Sequence, residues 1–344
     1  MMNKAYNKTL GALLAAAIGD AMGAPLASRT TELIRKDFGN GDFVYDYKDL
    51  LHDCVAFDMP KGAVTEGFSS AYVFAEHIVR NGGKVSDEIA RKALFDWKDG
   101  ENTKKYFDRY AGATTRKGVA IIESKYSGDE GRDHLLFECR TATCGAAMRG
   151  WTAGLFNREN PDAAAQDAVT IGYVSHDNPI SLSAGSAVAA AVSAAYKENV
   201  KLGEILDVGM EYLKLYFEKT WKIGRPSSGA SIIRRMEIAI ETGIKYGNDF
   251  EKCMVEMNDC VGLGELASES IPSAFGFLTA AGGDVMKTIY LAINAGNNCD
   301  TIAMLAGAMA GAYKGADSIP SGHLKMLSEV NNMDIEGLAR EITA

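Results

Sequence analysis

Two segments of this chain are built almost wholly from small residues. Gly185–Tyr196 reads Gly-Ser-Ala-Val-Ala-Ala-Ala-Val-Ser-Ala-Ala-Tyr, and Ile302–Tyr313 reads Ile-Ala-Met-Leu-Ala-Gly-Ala-Met-Ala-Gly-Ala-Tyr. Alanine favours helix, and small side chains on nearly every face let neighbouring backbones come close. A helix that is apolar all round is a buried one. Both segments therefore belong at the centre of a bundle, with further helices packed around them.

The rest of the chain supplies those helices. The 344 residues include only 7 prolines against 36 glycines, and 47% are apolar, enough for a large core. Helical periodicity predicts helices over 8–19, 68–81, 86–98, 116–124, 142–156, 161–171, 179–197, 202–218, 228–242, 248–258, 272–280, 284–294, 301–313 and 334–342. Alternating strand patterns are few and short. Glycine and proline mark the loops, as at Asn81-Gly82-Gly83, Gly282-Gly283 and Ile319-Pro320-Ser321-Gly322. No low-complexity linker or repeat divides the chain, so the expectation is one all-α domain over residues 1–344.

Charge and cysteine usage exclude several classes. The net charge is -9 with a pI near 5.2. No Lys/Arg cluster offers the basic face of a nucleic-acid binder or of a protein on an anionic membrane. The six cysteines form no CxxC pair, and the five histidines are scattered, so no zinc pattern emerges. A chain this long needs no disulfide staples; reduced thiols and a cytoplasmic location are expected. Leu10–Gly19 follows Lys4 and Lys8 in loose imitation of a signal peptide, but Asp20 interrupts it and a first core helix is the better reading. No run reaches the roughly 18 apolar residues of a membrane span.

Polar residues concentrate directly before the buried helices. Asn297-Asn298-Cys299-Asp300-Thr301 precedes the small-residue helix at 302, and Ser175-His176-Asp177-Asn178-Pro179 precedes the one at 184. Val64-Thr65-Glu66-Gly67 and Cys144-Gly145 open two others. Taken singly these are caps: Asn178 with Pro179 at the first helical position, Thr65 with Glu66 in the first turn, Asn298 or Asp300 before the last core helix. Taken together, helix N-termini meeting at one cleft present free N–H groups to phosphates or gathered carboxylates.

These residues resemble a known family. Gly11-Ala-Leu-Leu-Ala-Ala-Ala-Ile-Gly-Asp20-Ala-Met-Gly-Ala-Pro25 is similar to the opening of ADP-ribosylglycohydrolases, and Cys144-Gly-Ala-Ala-Met-Arg149 to their Gly-Ala-Met-Arg region. Ser175-His176 matches the family's histidine before a buried helix. Asn294-Ala-Gly-Asn-Asn-Cys-Asp-Thr-Ile-Ala303, continuing through Gly307, Gly311-Ala-Tyr313 and Ile319-Pro320, resembles its C-terminal signature. The anchors keep the family's order over about residues 8–320. The resemblance implies a compact orthogonal bundle of helices and cleavage of a ribosyl bond at C1″ of ADP-ribose, with two Mg²⁺ held by a Thr-Asp-Asp-Thr segment and an Asp-x-Asp-Thr segment.

The chain departs from that ligand pattern. Thr65 matches the first threonine, but Glu66 and Gly67 stand where two aspartates are expected, and Asn298 replaces the first aspartate of the late segment. Asp300 and Thr301 match its end. Leu26, Ala27 and Ser28 follow Pro25 where an acidic residue is common; Glu32 is a distant substitute. Hard divalent ions prefer several charged oxygens, so a two-ion centre is doubtful, and the candidate metal site is a single Mg²⁺ on Thr65, Glu66, Asp300 and Thr301.

The expected function is hydrolysis of an N-ribosyl bond in an ADP-ribose-like or smaller nucleoside or nucleotide substrate. Glu66 is the candidate base or nucleophile, Asp300 the candidate ligand of ribose hydroxyls, and His176 the group titrating near neutral pH that orients ribose or phosphate. Cys144, Gly145, Asn297, Asn298 and Asp20 are the candidate substrate-binding residues. The competing reading is a catalytically silent relative that binds ADP-ribose or a nucleotide, or serves structurally, because three of the family's carboxylates are gone. Gly128-Asp-Glu-Gly-Arg-Asp-His134 reads as a solvated loop or a lid.

Overall fold

A computed structural model describes residues 3–54, 57–127, 142–225 and 228–344. The segment 128–134, read above as a loop or lid, lies outside the described residues. Among the described residues the fold is all helix apart from one isolated antiparallel bridge, Thr143 to Leu266. The helices are α1 (Lys4–Gly23), α2 (Thr31–Phe38), α3 (Glu66–Arg80), α4 (Asp87–Asp99), α5 (Lys104–Tyr110), α6 (Ala113–Ser127), α7 (Gly145–Gly150), α8 (Ala153–Phe156) and α9 (Pro161–Tyr173). They continue as α10 (Pro179–Ala194), α11 (Leu202–Trp221), α12 (Ile232–Tyr246), α13 (Phe250–Cys260), α14 (Ala267–Ala280), α15 (Val285–Asn294), α16 (Cys299–Lys314), α17 (His323–Asn331) and α18 (Ile335–Thr343).

The two small-residue helices are the innermost. Every residue of α10 is buried, and α16 is buried from Thr301 to Ala312. α16 packs along α1 so tightly that a Cβ on Gly311 would sit 2.1 Å from Gly11 O, and one on Gly23 would sit 2.4 Å from Asp300 Cα. The second approach matters for the site, because it seats the start of α16 against the end of α1. One buried apolar cluster runs from Leu10 on α1 to Ile342 on α18. No helix of the described residues is long and apolar enough to cross a membrane.

Local chemistry explains most boundaries. The Asn178 side chain accepts from Ser181 N–H with Pro179 in the first turn, as the sequence predicts. α14 starts at Ala267, ahead of the predicted 272, and carries Pro272 inside it. Proline removes the N–H that would bond the carbonyl four residues back. That carbonyl, Ser268 O, instead takes a bond from Arg235 Nη1 at 3.4 Å. The predicted helix 142–156 is two short ones, α7 and α8, separated by Trp151 and Thr152, where the Thr152 hydroxyl bonds Arg149 O at 2.8 Å.

Candidate active site

Three chain segments from distant parts of the sequence bring the acidic residues of one pocket together. The first is the approach to α3. Asn331 on α17 accepts from Val64 N–H at 2.9 Å and donates to Gly62 O at 3.0 Å, which fixes the backbone entering the helix. Thr65 then caps α3, accepting from Gly67 N–H, and Glu66 is its first residue. The second is the turn into α16. Gly296 and Asn297 both take left-handed φ values, 82° and 58°, and the turn is tied down by Ser28 N–H to Asn297 O at 2.7 Å and Asn298 N–H to Leu263 O at 2.9 Å. The third is the turn between α13 and α14, which carries Glu265.

The pocket so formed has a volume of about 130 Å³ and is lined by Thr65, Glu66, Tyr110, Glu265, Asn297, Asn298, Asp300 and Thr301, together with Ala24, Ala27 and Ser28. Six residues singled out in the sequence therefore meet: Thr65, Glu66, Asn297, Asn298, Asp300 and Thr301. Glu66 is half-buried, and one oxygen accepts from Gly112 N–H at 3.1 Å. Burial pushes its carboxyl up to about 8 against the bond from Gly112 and the charge of Arg149. A carboxyl pushed that way favours its protonated form. Asp300 accepts from Thr301 N–H at 2.8 Å; burial raises it to about 6.

Four sequence-picked residues lie behind the pocket, outside its lining. Asp20 is fully buried and accepts Thr65 N–H at 3.0 Å, the Thr65 hydroxyl at 2.5 Å and Phe68 N–H at 2.8 Å. Both its oxygens are spent on anchoring α3. Cys144 is buried with Asn298 Nδ2 donating to its sulfur at 3.6 Å, and burial drives the thiol up to about 12. Gly145 makes room for an imidazole: a Cβ there would sit 2.5 Å from His176 Cε1. His176 is 1% exposed, its Nε2 paired with the Thr143 hydroxyl and its Nδ1 with the Ser175 hydroxyl, each at 2.9 Å. Burial, then the charge of Arg149, holds it well below the ordinary histidine range. It is a neutral, packed side chain, not the near-neutral titrating group expected.

Sequence reasoning missed Glu265, Tyr110 and the reach of Arg149. Arg149 is 1% exposed, donates to Ser175 Oγ and lies over the Phe74 ring, and burial lowers it only to about 10, so it keeps its charge. The Gly262-Leu-Gly264-Glu265 stretch carries no periodic signal that would have marked Glu265.

The acidic groups lining the pocket are Glu66, Glu265 and Asp300. Gly67 offers no ligand, and a Cβ built on it lies 2.9 Å from Met304 Sδ, so a thioether fills the space a second carboxylate needs. Among the described residues no three acidic, thiol or imidazole groups form a metal-binding group. The oxygens of Thr65, Glu66, Asp300 and Thr301 are of the hard kind that a single Mg²⁺ takes.

Known proteins resemble this chain over most of its length. A solved structure titled ADP-ribosylglycohydrolase-related protein complex superposes with a TM-score of 0.65 at 20% identity, covering 98% of each chain. The Escherichia coli K12 protein named uncharacterized protein YegU is 25% identical over 338 residues, 96% of this chain and 95% of that one. An uncharacterized Archaeoglobus fulgidus protein is 26% identical over 310 residues, 87% and 85% of the two chains. The family model described as ADP-ribosylglycohydrolase matches residues 1–344, and the chain belongs to that family.

Proposed function

We propose that the chain hydrolyses an N-ribosyl bond, with a small riboside or an ADP-ribose-like compound as substrate. The observation that carries this reading is the meeting of Glu66 and Asp300 in one pocket of about 130 Å³, a volume suited to a single sugar ring. Ribosyl cleavage passes through an oxocarbenium-like state and needs help for the leaving group and negative charge near the sugar. Glu66, backed by Gly112 N–H, is the proton donor to the leaving group. Asp300 and the Asn297 and Asn298 side chains receive ribose hydroxyls. A single Mg²⁺ is a cofactor this reading allows on Thr65, Asp300 and Thr301, where it would add positive charge beside those hydroxyls; it would take Glu66 as a further ligand only in the ionised form, which cannot donate a proton. A cytoplasmic location suits such a substrate and the thiols.

Calorimetry with D-ribose, inosine and ADP-ribose, with and without Mg²⁺, alongside an assay for released ribose, tests the reading. At least one ribosyl ligand should bind and be hydrolysed. Glu66→Gln should lower kcat by about 10²–10⁴-fold while leaving ligand affinity nearly unchanged. Binding without hydrolysis would point to the silent, ligand-binding relative, and no binding at all would leave a structural role.

A further inference from the structure

The rim of the pocket carries a carboxylate that this reading leaves without a role. Glu265 is exposed, in the turn between α13 and α14. The turn is held from three sides: Cys144 N–H donates to Glu265 O at 3.0 Å, Ala267 N–H to Ala142 O at 2.7 Å, and Gly264 N–H to Glu269 Oε2 at 2.9 Å. The backbone is fixed, yet among the described residues the Glu265 carboxylate has no hydrogen bond or ion pair. It lines the same pocket as the carboxyl groups of Glu66 and Asp300. Three carboxyl groups gathered round one pocket disfavour one another's ionisation. Proteins break such local rules mainly at functional sites, here one where positive charge develops. Position 67, a glycine, supplies no carboxylate.

We propose that Glu265 is a catalytic carboxylate of this site, the base that takes a proton from the attacking water. This rests on the ribosyl-hydrolase reading. As the C1–N bond breaks, its electron pair leaves on nitrogen, which takes the Glu66 proton. The water oxygen bonds to C1, and its proton passes to Glu265. Both carboxyl groups then exchange protons with solvent. The two positions suit the two jobs: Glu66 is half-buried against Gly112, while Glu265 is exposed to solvent at the pocket.

The test uses Glu265→Gln and Glu265→Ala, with inosine hydrolysis, D-ribose affinity and sodium azide as readouts. Glu265 is exposed and unpaired, so both variants should fold like the wild type. Loss of a general base should lower kcat about 10²–10⁴-fold with KM and ribose affinity nearly unchanged. Azide should restore turnover of Glu265→Ala, with ribosyl azide as the product. An unchanged kcat, or a loss that azide does not relieve, overturns the assignment while wild-type turnover keeps the hydrolase reading. A wild type that hydrolyses no riboside overturns both.

Discussion

Thr65 gives both of its hydrogen-bond donors to one carboxylate: its backbone N–H meets Asp20 Oδ2 at 3.0 Å and its hydroxyl meets Asp20 Oδ1 at 2.5 Å. Phe68 N–H joins Oδ2 at 2.8 Å, so Asp20 on α1 caps α3 from outside that helix. The site's position relative to the core thus depends on a fully buried acid. Burial and the charge of Asp300 raise Asp20 to about 7, so a neutral side chain there is already half tolerated.

That relationship predicts opposite outcomes for two substitutions. In Asp20→Asn the amide oxygen can keep the two N–H groups while its nitrogen donates to the Thr65 hydroxyl, which turns round to accept. In Asp20→Ala the Thr65 and Phe68 N–H groups are left buried without an acceptor and the Thr65 hydroxyl keeps only Asp300 Oδ2, 3.5 Å away, at about 1–3 kcal/mol for each donor left unsatisfied and less once the site relaxes. Urea denaturation should show Asp20→Asn close to wild type and Asp20→Ala several kcal/mol less stable. Equal loss in the two variants would mean that charge, not bonding, is what the position needs.

Glu66 makes stability depend on pH in a definite direction. Its folded-state proton affinity corresponds to about 8, against an ordinary 4.5, so the folded state binds the proton more tightly than the unfolded chain. The stability this confers is complete below the ordinary value and is lost as pH rises through about 8. Asp20 and Asp300 act in the same sense, with folded-state values of about 7 and about 6. Each tenfold change in proton affinity is worth about 1.4 kcal/mol. Scanning calorimetry between pH 5 and pH 9 should therefore show Glu66→Gln gaining on the wild type by up to several kcal/mol as pH rises. Parallel curves for the two proteins would show that the Glu66 side chain is solvated in the folded state.

What was legible in the sequence is what local chemistry decides. The Asn178-Pro179 start and the Thr65 cap follow from side chains bonding their own next turn. The burial of α10 and α16 follows from their small residues. α2, α5 and α17 escaped because they span only two turns or so and are held by their surroundings more than by their own pattern. His176 and Asp20 were recognised as distinctive but given the wrong setting, because burial and the partners Thr143, Ser175 and Phe68 are set by packing between helices. Glu265 could not be found at all: only the Thr143–Leu266 bridge and the bond from Asn298 bring its turn to the pocket.

Met304 and Gly67 together predict how a second carboxylate could return. Met304 is fully buried, and its sulfur lies 2.9 Å from where a Cβ on Gly67 would be. Gly67→Asp alone must push the thioether into a packed core, a misfit of about 1–3 kcal/mol. Met304→Ala opens the space at about 2–5 kcal/mol of lost packing. In the double variant the new carboxylate joins Thr65, Glu66 and Asp300, and Mg²⁺ should raise its melting temperature. A ligand at 100 times its Kd stabilises by about 2.7 kcal/mol, which a thermal scan resolves easily. The informative quantity is the magnesium-dependent shift within each protein, since the baselines will differ. If Gly67→Asp alone gains the same shift as the double variant, Met304 is no barrier, and the missing charge at position 67 is the whole of the difference.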